Sequence, residues 1–313
     1  MDRIRHTRSN RWQSAILILA MVGILSGCGF ILLGWTGLFA ALAFAIGIVL
    51  ATGRASAGAV LRMYRAVPIE RNHAPGLVQL FDSIVARAGL DHSPQLYYVP
   101  SSMLNAFAAG HGKQVAVAIT DGILQNMNAR EIAGILAHEI SHVQNGDVFV
   151  MSLADALSRV TAFIGQAGIY MLILVIPSSL LGYGIPWIAA LVFMFAPNLS
   201  ALLQLALSRA REYDADEGAA RITGDPIGLA MALKKVDVTH DNWFKRVLLP
   251  GRRELEPALL RTHPPTQNRI DALKSMAGID SEIALTDPVA QLVTIHPKRE
   301  IVRPRWHFSG LWY

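Results

Sequence analysis

The residues best suited to chemistry are His138-Glu139-Ile140-Ser141-His142, an H-E-x-x-H pattern. On a helix, positions i and i+4 project from one face, so both imidazoles can reach a single metal ion. Glu139 then sits beside them as the group that takes and returns protons. A catalytic zinc takes three protein ligands and keeps a fourth position for water. The best third donor is Glu212, within Arg209-Ala210-Arg211-Glu212-Tyr213-Asp214-Ala215-Asp216. Glu212 and Asp216 again stand at i and i+4. Glu212 can ligate while Asp216 supports a ligand histidine from behind, which fixes its tautomer and raises its basicity. Taken by itself, that acidic stretch reads better as a solvated helix face. With both pieces together the expected cofactor is Zn2+, one per chain, held by His138, His142 and Glu212.

These residues need elements to hold them. Asn128 is a good N-cap, with Glu131 three residues on as its capping-box partner. Ile132, Ile135, Leu136, Ile140 and Val143 supply a helical apolar stripe, and Asn145-Gly146 supplies the stop. Upstream, Leu77, Leu80, Phe81, Ile84, Val85 and Ala88 mark an amphipathic helix ended by Gly89. Residues 95–99, 104–109 and 114–119 read as strands, the last two joined by a hairpin at Gly110-His111-Gly112-Lys113. Downstream, 209–222 is helical up to Gly224-Asp225-Pro226, and 227–236 is a further helix. Residues 248–256 read as a loop and 266–277 as a helix opened by His263-Pro264-Pro265. The fold class is therefore α+β and mostly helical.

Composition places these elements beside lipid. Hydrophobic residues make up 52% of the 313 and charged residues only 16%, against about 25% charged in a soluble domain. The deficit is concentrated. No charged residue occurs from Trp12 to Gly53, nor from Val160 to Ser208. Each stretch is about twice the roughly 20 residues that one span needs. The first fits two spans turning near Gly34-Trp35-Thr36-Gly37. The second fits two more, broken between Pro177 and Pro186, although its prolines also suit a re-entrant hairpin. An even number of spans between His142 and Glu212 returns both to one side of the membrane, so the hairpin and zinc readings support each other.

Arginines set the orientation. Arg3, Arg5, Arg8 and Arg11 precede the first span; Arg54, Arg62, Arg65 and Arg71 follow the second; Arg209 and Arg211 follow the fourth. The positive-inside rule puts both termini and the polar parts in the cytoplasm. The net charge of +5 is thus a topology signal, and no basic motif suggests nucleic acid. Cys28 is the only cysteine, so no disulfide forms within the chain. Leu25-Ser26-Gly27-Cys28 has the look of a lipoprotein cleavage site, but Phe30 to Leu50 stays apolar, which favours Cys28 as a lipid-facing or packing residue.

The combined pattern resembles the HtpX-type membrane zinc endopeptidases, relatives of the CaaX prenyl proteases. The likeness spans residues 10–277. It rests on Asn105-Ala106-Phe107, the H-E-x-x-H helix, the two-span insertion, Arg211-Glu212 with Asp216, and Thr262-His263-Pro264-Pro265. It implies a gluzincin-like zinc protease domain with four transmembrane helices, in the bacterial inner (cytoplasmic) membrane. It also implies that Asn105, Ala106 and Phe107 form a substrate-binding edge strand, that His263 is an oxyanion donor, and that Arg269 pairs with Asp216. For His263 a plain helix-start residue before two prolines is an equal alternative. The implied work is peptide hydrolysis in quality control of misfolded membrane proteins. Narrow-specificity processing of the CaaX type and a non-catalytic membrane scaffold with a degenerate zinc site are the rival readings. Expected partners are protein or peptide substrates and the lipid bilayer; oligomeric state is left open.

The expected organisation is a cytoplasmic segment at 1–13, a transmembrane hairpin at 14–52, the first protease part at 53–159, a second transmembrane hairpin at 160–207, the second protease part at 208–277 and an extension at 278–313. From Gln291 on, the extension carries Lys298, Arg299, Arg303 and Arg305 with Trp306, Phe308, Trp312 and Tyr313. It suits either the cytoplasmic leaflet or a last strand packed on the domain through Leu292, Val293, Ile295, Ile301 and Val302.

Overall fold

The computed structural model describes residues 2–54, 57–180, 187–247 and 266–277. The extension from residue 278, the loop at 248–256 and His263 lie outside the described residues.

The first apolar stretch forms α1 (Asp2–Arg54), which is not straight. Leu33 (φ −133°) and Gly34 (φ 60°, ψ −141°) leave helical geometry. The left-handed φ at Gly34 is one that a residue lacking Cβ adopts without strain. The chain doubles back there: a Cβ on Gly29 would lie 2.5 Å from the carbonyl oxygen of Gly37. Met21 and Ala45 belong to one buried cluster, although a straight helix would hold them about 36 Å apart. The expected turn near Gly34 is present, and α1 is a hairpin of two arms. Phe30, Leu33, Trp35, Phe39, Phe44 and Ile46 face outward along it, the surface a lipid-facing helix requires.

A short helix, α2 (Ala57–Met63), leads into strand β1 (Val67–Pro68) and helix α3 (Pro75–Ala88), which Gly89 ends in left-handed geometry as expected. The sheet continues with β2 (Gln95–Val99), β3 (Ala106–Ala109) and β4 (Ala116–Thr120) in the order β1-β2-β4-β3. Both hairpin strands are displaced from the expected 104–109 and 114–119. Thr120 Oγ1 accepts from the backbone N–H of Asn105, and the Asn105 carbonyl accepts from Thr120, so the pairing closes one residue later on β4. Residues 112–114 form a 3-10 turn and leave the ladder. β2 and β4 run parallel while β3 and β4 run antiparallel. Among the described residues β3 has no strand on its outer side.

Next come α4 (Asp121–Asn126) and α5 (Ala129–Asn145). The capping box on α5 forms as read: Asn128 accepts from the Glu131 N–H, and Glu131 accepts from the Asn128 N–H. Gly146 ends α5 in left-handed geometry. The second apolar stretch forms α6 (Asp147–Leu180) and α7 (Trp187–Thr223). Both helices run straight across the expected boundaries at 159/160 and 207/208, so each carries polar and apolar parts on one continuous rod. Pro177 lies inside α6 rather than in the break, and Pro197 lies inside α7. There, in the close seam between α6 and α7, Gly165 faces the Pro197 ring and Gly168 faces Phe193. Helix α8 (Pro226–Val247) runs well past the expected end at 236. Helix α9 (Thr266–Met276) closes the described chain.

Two cores result. One joins α3, α5, α8 and α9 with the inner sheet face through Phe81, Ile119, Ile132, Leu136, Leu229 and Leu273. The other joins the arms of α1 to α6 and α7 through Met21, Leu25, Leu153, Leu157 and Leu207. Helix α5 sits against α8 so closely that a Cβ on Gly134 would meet the Leu229 backbone at 2.8 Å. Arg130 at its start grips Asp225 with two hydrogen bonds of 2.7 and 2.8 Å, and Asp225 caps α8 through the Gly228 N–H. The zinc-motif helix is thus fixed at its N-terminus and along its length.

Candidate metal centre

His138 and His142 lie one turn apart on α5, their rings edge to face with centroids 4.7 Å apart. Helix α7 crosses this face and brings up Glu212. The two Nε2 atoms are 3.2 Å apart. Glu212 Oε2 is 3.4 Å from Nε2 of His138, and Oε1 is 3.8 Å from Nε2 of His142. All three side chains are buried, and their donor atoms fall within 4.8 Å of one another.

The donor set fits zinc. Bond lengths of 2.0–2.2 Å put tetrahedral ligand atoms about 3.3–3.6 Å apart, near the spacings observed. His142 Nδ1 is 3.0 Å from Asp147 Oδ2, so the carboxylate assigns the ring proton to Nδ1 and leaves Nε2 as a bare lone pair. That lone pair faces His138 Nε2 at 3.2 Å and a Glu212 oxygen at 3.8 Å, an arrangement of donor atoms that a shared metal ion fits.

The surrounding charges hold this arrangement. Asp216, one turn beyond Glu212, places Oδ1 3.1 Å from His138 Nδ1, within ion-pair distance but outside hydrogen-bond alignment. Arg269 on α9 donates through Nε and Nη2 to the two Asp216 oxygens, both at 2.7 Å, and its Nη1 lies 2.8 Å from Glu212 Oε2. Burial lowers the affinity of His138 for a proton, but Asp216 and Glu212 outweigh it and raise its pKa to about 10, with Arg269 opposing them. Without metal, the pocket attracts a proton strongly; it is built around positive charge. Burial likewise disfavours the Arg269 cation, yet Asp216, Glu212 and Glu139 raise its pKa.

Glu139 is half-buried on α5, where its charge reaches Arg269. Strand β3 packs against α5. Its residues Ala106 and Ala108 turn toward that core, while Phe107 meets the Tyr64 ring on the other face, centroids 5.0 Å apart and planes tilted by 51°. Asn105 lies immediately before β3, tied by its backbone to Thr120. The structure therefore brings His138, Glu139, His142, Glu212, Asp216 and Arg269 together, with Ala106 and Phe107 on the neighbouring outer strand and Asn105 just before it.

The sequence reading missed Asp147 and, although it named Arg211, missed the role of that arginine. Asp147, fully buried, supports His142, and Arg211 donates to Asp147 through Nη1 at 2.9 Å. An acid directly after Asn145-Gly146 looks like a solvated turn residue. Its one usable signal was its position five residues beyond His142, just past the glycine that ends α5.

Comparison with known proteins follows the same line. The model of peptidase family M48 matches residues 72–277. The protease HtpX homolog of Kineococcus radiotolerans is 37% identical over 247 residues, covering 71% of this chain and 80% of that protein. The homolog from Thermococcus sibiricus is 33% identical over 285 residues, covering 85% and 95%. That from Acaryochloris marina is 34% identical over 278 residues, covering 84% and 94%. In fold, the chain is similar to the crystal structure of S. mikatae Ste24p, with a TM-score of 0.50 at 19% identity, covering 86% of this chain and 67% of that one. Three described helices are long and apolar enough to cross a membrane, within Trp12–Arg54, Asp147–Leu174 and Trp187–Thr223. With a family model matched over more than half its length and relatives above 30% identity along most of theirs, the chain belongs to peptidase family M48, a family of metalloproteases.

Proposed function

We propose that the chain is a membrane-embedded zinc endopeptidase of gluzincin type that cuts misfolded membrane proteins at the cytoplasmic surface. The observation that carries this reading is the convergence of His138 Nε2, His142 Nε2 and a Glu212 carboxylate oxygen in a buried pocket beside Glu139. A bound zinc would supply Lewis-acid polarisation and a water acidic enough to attack near neutral pH. The chain's own residues do the rest. Glu139 takes the proton from the attacking water and delivers it to the leaving amine. Asp147 and Asp216 hold the two imidazoles in place, and Arg269 holds Asp216 and Glu212 together. An extended substrate added to the outer edge of β3 through main-chain hydrogen bonds would run alongside α5. His263 remains a candidate oxyanion donor.

The metal assignment is tested by zinc content. Purified protein is expected to hold about one zinc per chain, and His142→Ala to lose most of it. Stoichiometric zinc retained by His142→Ala would remove His142 from the ligand set.

In the membrane reading, the two arms of α1 form two spans, and α6 and α7 supply two more. Arg54, Arg62 and Arg65 mark the cytoplasmic side. Cysteine labelling with a membrane-impermeant maleimide checks this in spheroplasts. Tyr183→Cys is expected to label from outside and Gln125→Cys only after lysis; the native Cys28 is buried and gives little background. The opposite pattern would invert the topology.

A further inference from the structure

We propose that Ser14, in the first arm of α1, is a positioning residue for the metal centre, acting on His142 through Arg211 and Asp147. The inference rests on the metal reading above and deepens it. The path is continuous in hydrogen bonds. The Ser14 hydroxyl accepts from Nε of Arg211 at 3.0 Å, and also from its Nη2. Nη1 of the same guanidinium donates to Asp147 Oδ1 at 2.9 Å. The other Asp147 oxygen faces His142 Nδ1 at 3.0 Å. Ser14 and Arg211 are 6% and 4% exposed and Asp147 is 0% exposed, so water is a poor substitute for any link.

The path joins four helices. Ser14 comes from α1, Arg211 from α7, Asp147 from the first turn of α6 and His142 from α5. Arg211 is adjacent in sequence to the ligand Glu212, so one stretch of α7 both ligates and braces. The guanidinium is a planar fork, and engaging Ser14 through Nε and Nη2 aims Nη1 at Asp147. Asp147 in turn fixes the ring orientation of His142. The N-terminal arm is therefore part of the machinery that sets metal affinity, and not only an anchor. Tight zinc binding requires that arm to be seated against α6 and α7, which ties an active centre to a chain correctly folded in its membrane.

The experiment measures zinc affinity of the full-length protein in detergent by competition with a fluorescent chelator, together with the visible absorption of the cobalt-substituted site. Asp147→Asn is expected to weaken zinc binding about 10- to 100-fold, as for other groups supporting a metal ligand. Ser14→Ala, one step further out, is expected to weaken it about threefold to tenfold and to alter the cobalt bands. Ser14→Thr keeps the hydroxyl and is expected to stay near wild type. Ser200→Ala is the control: Ser200 is fully buried against Ser158 at 3.3 Å in the α6–α7 seam, outside the path. Its loss should loosen packing without moving zinc affinity or the cobalt bands. Arg211→Lys provides a second route should Ser14→Ala not fold, since one ammonium cannot span Ser14 and Asp147; it too is expected to weaken zinc binding. Wild-type affinity and spectrum in Ser14→Ala or Arg211→Lys would overturn the proposal, as would an equal loss in Ser200→Ala. A wild-type protein that binds no zinc would overturn the metal reading itself, a result distinct from any of these.

Discussion

Glu139→Gln is expected to retain one zinc per chain and to hydrolyse unfolded casein about 10²- to 10⁴-fold more slowly than wild type. The proposed ligands His138, His142 and Glu212 are untouched, and the amide is close in shape to the carboxylate, so the metal is expected to stay. In the proposed mechanism, what disappears is the group that accepts the water's proton and returns it to the leaving nitrogen. Those transfers occur only on the way through the transition state, so the loss should fall on kcat with KM little changed. The charge of Glu139 also bears on Arg269, but Arg269 keeps its contacts to Asp216 and Glu212, and the pocket should keep its shape. Zinc content and initial rate on the same preparation separate the two effects. Wild-type turnover in Glu139→Gln would remove this residue as the base. Zinc with no turnover in the wild type itself would favour the non-catalytic scaffold.

Much of the centre was legible because its parts obey local rules. Asn128, Glu131 and Gly146 define α5 by capping chemistry alone, and the spacing of His138 and His142 follows from 3.6 residues per turn. The turn at Gly34 was readable as the glycine-bearing break in an uncharged run. Residues that act at long range were not. Asp147 stands only five residues beyond His142, just past the Gly146 that ends α5, but its burial as an ion-pair partner depends on Arg211 arriving on α7 from 64 residues away, and that is not encoded near Asp147. Ser14 is one small polar residue at the start of an apolar run, ordinary until Arg211 arrives from 197 residues away. The parallel pairing of β2 with β4, and hence the outer position of β3, depends on which strands meet across the sheet. Periodicity within each strand says nothing about that. Even helix lengths moved: α6 and α7 pass between the apolar stretch and the polar parts on either side without a break, because backbone hydrogen bonding continues regardless of what the side chains face.

Arg269→Met is expected to be among the most damaging single changes outside the metal ligands. Arg269 is 4% exposed, hydrogen-bonds both oxygens of Asp216 and forms an ion pair with one oxygen of Glu212, two acids themselves 1% and 0% exposed. Removing one partner from a buried ion cluster leaves uncompensated charge, at a cost of about 3–5 kcal/mol, against a total stability of about 5–15 kcal/mol. The damage should appear in two places. Helix α9 docks beside the site through Arg269, Ile270 and Leu273, so its docking weakens and the thermal midpoint falls by many degrees. Glu212 loses the neighbour that fixes its carboxylate, so zinc affinity falls as well. Arg269→Lys should lie between, since it keeps the charge but loses the fork that grips Asp216 at two points. Zinc offers an internal check. An ion that binds only the folded state stabilises it by mass action, about 2.7 kcal/mol at a hundredfold excess over Kd. Added zinc should therefore recover part of the midpoint lost in Arg269→Met, and more of that lost in Arg269→Lys. A midpoint within a degree or two of wild type in Arg269→Met would show that Asp216 and Glu212 are neutralised by the metal alone, and that α9 is held by its apolar contacts.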